Sequence, residues 1–86
     1  MASYNVEIKR SARKEFLGLP AKLQRQIAKR IKALSGTPRP PGSEKLADDL
    51  YRVRQGDYRI VYEVDDAALK VTVTRIANRR DVYRRL

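Results

Sequence analysis

The segment from Leu50 to Val64, Leu-Tyr-Arg-Val-Arg-Gln-Gly-Asp-Tyr-Arg-Ile-Val-Tyr-Glu-Val, constrains the fold more than any other part of the chain. Apolar and polar residues alternate along both halves, and Gln55-Gly56 separates them, which is the pattern of two antiparallel strands joined by a tight turn. A two- or four-residue loop then sets Arg52 opposite Arg59, Val53 opposite Tyr58 and Tyr51 opposite Ile60. One face is apolar, and the other carries Arg52, Arg54 and Arg59 side by side. Like charges placed opposite one another weaken a sheet. Folding alone does not require that cluster.

The rest of the chain supplies what such a hairpin needs. Tyr4, Val6 and Ile8 alternate with polar residues, as in a strand with one buried face. Ser11 offers an N-cap for a short helix from Ala12 to Gly18, with Ala12, Phe16 and Leu19 at helical spacing. Pro20 suits the first turn of a second helix, Ala21 to Leu34, along which Leu23, Ile27, Ile31 and Leu34 recur every three or four residues. Its other face shows Lys22, Arg25, Lys29 and Lys32, read either as a solvated surface or as contacts to an RNA backbone. Gly36, Pro38, Pro40, Pro41 and Gly42 make Ser35 to Ser43 a loop crossing from helices to sheet. Glu44 to Asp49 fits an irregular approach or the start of a strand equally well.

Asp65-Asp-Ala-Ala68 turns the chain into a further alternating strand, Leu69 to Ile76. A four-residue loop pairs Val64 with Leu69, Tyr62 with Val71, Ile60 with Val73, Glu63 with Lys70 and Arg59 with Thr74. Both hairpins then put Tyr58, Ile60, Tyr62, Leu69, Val71 and Val73 under the helices. Both leave Arg52, Arg54, Arg59, Thr72 and Thr74 on an open face. Tyr51, Tyr58 and Tyr62 read as core residues. The tail Asn78 to Leu86, docked as one or two helical turns, puts Arg79 and Tyr83 on one side.

With 86 residues this is a single α+β domain over 1–86, with room for one sheet and one helical layer and little room for a deep pocket. A net charge of +10 points to a polyanionic partner. Without cysteine or histidine there is no thiolate chemistry, no zinc-thiolate site, and neither the commonest general base nor the commonest metal ligand, so no metal or cofactor is expected. No apolar run is long enough to span a bilayer and the start lacks the plan of a signal peptide, so the expected setting is cytoplasmic, without a membrane partner.

A basic face with a tyrosine suits cleavage of an RNA phosphodiester by its own 2′-hydroxyl. The substrate brings the nucleophile, and guanidinium groups orient the phosphate and stabilise the dianionic phosphorane. A tyrosine among cations, such as Tyr83 beside Arg79, Arg80, Arg84 and Arg85, could take part in proton transfer. The other readings are that the strand arginines bind phosphate without catalysis or are simply solvated, and that Tyr83 anchors the tail by packing.

The chain resembles the RelE/ParE superfamily of bacterial toxins from toxin-antitoxin systems. The resemblance lies in the opening strand followed by Ser11-Ala-Arg-Lys-Glu-Phe-Leu, the helix ending near Leu34 with its Pro-rich loop, the Leu50 to Tyr62 block, and Arg79-Arg-Asp-Val-Tyr83. It implies a four-stranded antiparallel sheet with two N-terminal helices on one face and a short C-terminal helical tail. It also implies a metal-independent endoribonuclease that enters the ribosomal A site and cuts the bound mRNA. The positions matching the active face of RelE-type members are Arg52, Arg54, Arg59, Arg79 and Tyr83, with Arg80 as a further RNA ligand that could replace Arg79. The first two are lysine in familiar members; arginine stabilises charge there but does not give up a proton. An acidic, partly disordered antitoxin is the expected partner, beside ribosome and mRNA. Two other activities share these features: a ParE-like inhibitor of DNA gyrase, and a basic RNA- or ribosome-binding protein with no activity.

Overall fold

The computed structural model describes residues 3–78. Its elements are β1 (Asn5–Ile8), α1 (Arg10–Leu17), α2 (Ala21–Ala33), β2 (Glu44–Ala47), β3 (Leu50–Gln55), β4 (Tyr58–Asp65) and β5 (Lys70–Asn78). They build the expected α+β arrangement, with one strand more than foreseen: a five-stranded sheet in the order β1-β5-β4-β3-β2. The extra strand is β2, which resolves the ambiguous Glu44 to Asp49 segment and pairs antiparallel with β3. β1 runs parallel to β5, so the sheet is mixed. The two helices carry the chain from one edge of the sheet to the other.

Ala12 of α1 and Ile27 and Ile31 of α2, followed by Leu34, meet Tyr51, Val53, Ile60, Tyr62, Val64, Val71, Val73 and Ile76 in one core. Helical spacing and strand alternation therefore face each other as the sequence requires. Tyr51 stacks on Tyr62 with ring centroids 6.0 Å apart. The Tyr62 hydroxyl donates to the Pro38 carbonyl at 2.8 Å, which pins the Pro-rich loop to the sheet. Arg39 in the same loop lies 5.0 Å from the centre of the Tyr51 ring, donates to its hydroxyl at 2.9 Å, and pairs with Asp66 at 2.8 Å.

Several local expectations are corrected. α1 starts two residues earlier, at Arg10, and its N-cap is Lys9 without a side-chain cap bond, so Ser11 lies inside the helix. Leu69 is not under the helices: it takes φ 52° in the turn and is 39% exposed. Ile8 on the edge strand is also 39% exposed.

The β3–β4 pairing is offset by two residues from the expected one. Arg54 faces Arg59, Val53 faces Ile60, Tyr51 faces Tyr62, and Arg52 faces Val61. The two-residue turn is Gly56-Asp57, with Gly56 at φ 60°, the first position of a hairpin turn that favours glycine there. An offset of two preserves the faces, because side chains alternate with period two.

β4 and β5 pair as Val64 with Val71, Glu63 with Thr72 and Tyr62 with Val73, and a bulge then intervenes. Beyond it Val61 faces Arg75, Ile60 faces Ile76 and Arg59 faces Ala77, so Arg59 is not opposite Thr74. Thr74 is the extra residue, and its hydroxyl donates to the Val61 carbonyl at 3.2 Å. Without the bulge, Arg75 would point to the core and Ile76 away from it. That inversion of alternation at Arg75-Ile76 was the sequence signal for the bulge.

Candidate nucleic-acid interface

The face opposite the helices is only partly apolar. Val61 and Ala77 are buried there beside Leu46 and Leu50. Around this patch the strand arginines line a cleft of about 320 Å³, together with Arg30, Gly42 and Glu44. Arg52, Arg54 and Arg59 are thus brought together, as the alternation of β3 and β4 predicted.

Each arginine is held differently. Arg59 is only 6% exposed, and its Nη1 donates at 3.4 Å to the carbonyls of Gly56 and Tyr58, bracing the turn. Arg54, directly across from it, is exposed. Arg52 bonds through Nη2 to Glu44 Oε2 at 2.6 Å, across the β2–β3 ladder in which the two residues are partners. Four guanidinium groups and one carboxylate leave the cleft wall at a net charge of about +3. Such a wall accepts an anion with several oxygens, and planar guanidinium forks match phosphate geometry.

Arg30 and Glu44 were missed by sequence reasoning. The signal for Arg30 was available: it stands three residues after Ile27 and four before Leu34, on the apolar stripe of α2 rather than opposite it. Glu44 became visible only once β2 was paired with β3. The basic residues expected to touch RNA from α2, Lys22, Arg25, Lys29 and Lys32, are all exposed. Lys29 lines an adjoining groove with Gln26, Arg30, Ala33 and Gln55. Lys22, Arg25 and Lys32 are not among the residues lining the cleft. Arg79, Arg80 and Tyr83, and the helical tail expected to carry them, lie outside the described residues. β5 delivers the chain toward them at Asn78, which pairs with Tyr58 beside Arg59.

Among the described residues no three His, Cys, Asp or Glu side chains converge as metal ligands. No helix among them is long and apolar enough to cross a membrane.

A two-helix α+β domain with a mixed five-stranded sheet has the fold of the RelE toxins. Residues 6–83 match the family described as ParE toxin of type II toxin-antitoxin system, parDE. A putative RelE-like toxin protein of Escherichia coli is 32% identical over 85 residues, covering 93% of this chain and 90% of that protein. Toxin RelE of Mycobacterium tuberculosis is 32% identical over 84 residues, covering 94% and 87%. The crystal structure of an archaeal RelE–RelB complex from Pyrococcus horikoshii superposes with a TM-score of 0.79 at 26% identity, covering 90% of this chain and 96% of that one. The chain belongs to the RelE/ParE family: it is a RelE-type toxin of a toxin-antitoxin system.

Proposed function

We propose that this toxin is a metal-independent endoribonuclease that enters the ribosomal A site in the cytoplasm and cuts the mRNA held there. The observation that carries the reading is the placement of Arg54 directly opposite Arg59 in a cleft shared with Arg52, an arrangement unfavourable for folding but suited to a phosphorane. In the reaction the 2′-oxygen loses its proton and attacks phosphorus as the P–O5′ bond breaks. The products are a 2′,3′-cyclic phosphate and a 5′-hydroxyl, which takes up a proton. Arg52, Arg54 and Arg59 hold and neutralise the phosphate oxygens, with Arg79, or Arg80 in its place, adding a further cation. Tyr83 is assigned to proton transfer and positioning at the 2′-oxygen. The ribosome supplies the orientation of the strand that so small a site does not provide by itself.

A cognate acidic antitoxin is the proposed partner. Its charge complements the +10 of the toxin, and several structural relatives are toxin–antitoxin complexes. Because the matching family is described as ParE, poisoning of DNA gyrase is the second reading. Primer extension on mRNA programmed into purified ribosomes decides between them. Cuts at A-site codons that weaken about a hundredfold or more in Arg54→Ala and Tyr83→Phe support the nuclease. No cuts, together with lost gyrase supercoiling, support the second reading.

A further inference from the structure

The residue that the strand pattern did not anticipate is Arg30. It lines the arginine cleft from α2, the helix packed on the other face of the sheet. It also lines the neighbouring groove with Gln26, Lys29, Ala33 and Gln55, so it is the wall common to both depressions. Its side chain is half-buried and its Nε is fully buried without a hydrogen-bond partner among the described residues. None of the ion pairs among the described residues neutralises it. Burial pushes the Tyr62 phenol up in pKa, and a hydrogen bond with Ser43 first, then the positive charge of Arg30, pull it back in part.

A cation held half-buried by its stem has already lost most of its rotamer freedom, so a ligand does not have to order it. The exposed lysines of α2 have no such advantage. From this geometry we infer that Arg30 is a phosphate-positioning residue: it takes the backbone phosphate next to the scissile one and guides single-stranded RNA out of the cleft, over the end of β3, toward Lys29. The inference rests on the RNA-cleaving reading of the same cleft, and it adds a second phosphate subsite on the helix side of the sheet.

The test uses the full chain and a single-stranded oligoribonucleotide with 2′-O-methyl groups throughout, which binds but offers no nucleophile. Affinity is measured by fluorescence anisotropy across a series of KCl concentrations for the parent, Arg30→Ala, Arg30→Lys and Arg13→Ala. Arg13 is a cation on the far side, beside Ile8, Phe16 and Leu17, and serves as the control for bulk charge. One phosphate contact on a single strand contributes a slope of ~0.7 in log affinity against log salt. Arg30→Ala should lower the slope by about that amount and weaken binding about fivefold, while Arg30→Lys and Arg13→Ala keep the parent slope. A parent slope in Arg30→Ala overturns the inference, whatever happens to its melting temperature. Should Arg30→Ala fail to fold, Arg30→Gln keeps most of the stem and carries the same comparison.

Cleavage of ribosome-bound mRNA by the parent is scored separately. A parent that cuts, with an unchanged slope in the variant, removes Arg30 and leaves the nuclease. A parent that does not cut, with a lowered slope, removes the nuclease and leaves a phosphate subsite.

Discussion

Glu15 carries the most specific structural prediction. β1 ends at Ile8 and its last ladder bond is Lys9 N–H to the Val73 carbonyl at 2.8 Å, so β5 runs on past its neighbour. Past that point the Ile76 N–H donates to Glu15 Oε1 of α1 at 2.9 Å. The other oxygen lies 3.5 Å from Arg75 Nε, with both side chains largely shielded. One carboxylate thus stands in for a missing strand just after the bulge, in the segment that leads to Arg79. A hydrogen bond to a charged acceptor is worth ~1.5–3 kcal/mol, and a partly buried amide left without one costs a similar amount. The looser pair with Arg75 adds at most about 1 kcal/mol. Alanine is at least as good a helix former as glutamate, so Glu15→Ala does not weaken α1 itself.

The expected loss is about 2 kcal/mol, or a fall of about 10 °C in Tm for a domain of this size. Glu15→Gln keeps an acceptor and should lose roughly half as much. Thermal melts followed by circular dichroism give the stability, and hydrogen exchange at the Ile76 amide locates it. A Glu15→Ala protein that melts within about 2 °C of the parent, with Ile76 equally protected, would refute the reasoning.

Three further outcomes are expected. Tyr62→Phe removes the 2.8 Å bond to Pro38 while keeping the ring in the core, and should cost about 1 kcal/mol or roughly 5 °C in a melt; an unchanged Tm would mean the loop is held by Arg39 alone. Arg39 first, and the Tyr4 hydroxyl second, hold the Asp66 carboxyl below its ordinary value of 3.8, so its contribution is present above that value and is lost as pH falls through the lower, folded one. Asp66→Asn should therefore flatten the acid limb of the stability curve, and the exposure of the pair keeps the effect small and sensitive to salt; an acid titration showing identical limbs contradicts it. Glu44→Gln removes the carboxylate at 2.6 Å from Arg52 and raises the cleft wall from about +3 to about +4, so RNA affinity should rise about threefold, and a fall would show that Glu44 helps to bind the strand.

The alternation of Leu50 to Val64 was enough to place Arg52, Arg54 and Arg59 on one face, because side-chain direction in a strand is a local property of period two. For the same reason the two-residue error in register did no harm to the face assignment: Arg59 faces Arg54 rather than Arg52, and the cluster stands. The amphipathic stripe of α2 was equally legible, and Ile27, Ile31 and Leu34 are all in the core. What depended on distant segments meeting was not legible. β1 joins β5 across more than sixty residues, Asn5 beside Lys70, and nothing local in Tyr4 to Ile8 says which strand it joins or in which direction. β2 is a strand only because β3 offers it an edge, and Glu44 enters the cleft only through its pairing with Arg52. Arg30 joins the strand arginines in one cleft although it stands on a helix packed against the opposite face, a meeting of segments distant in sequence. Local periodicity thus determined which side chains share a face; the order of the strands, their ends and the bulge at Thr74 decided which of those faces and edges meet at the cleft.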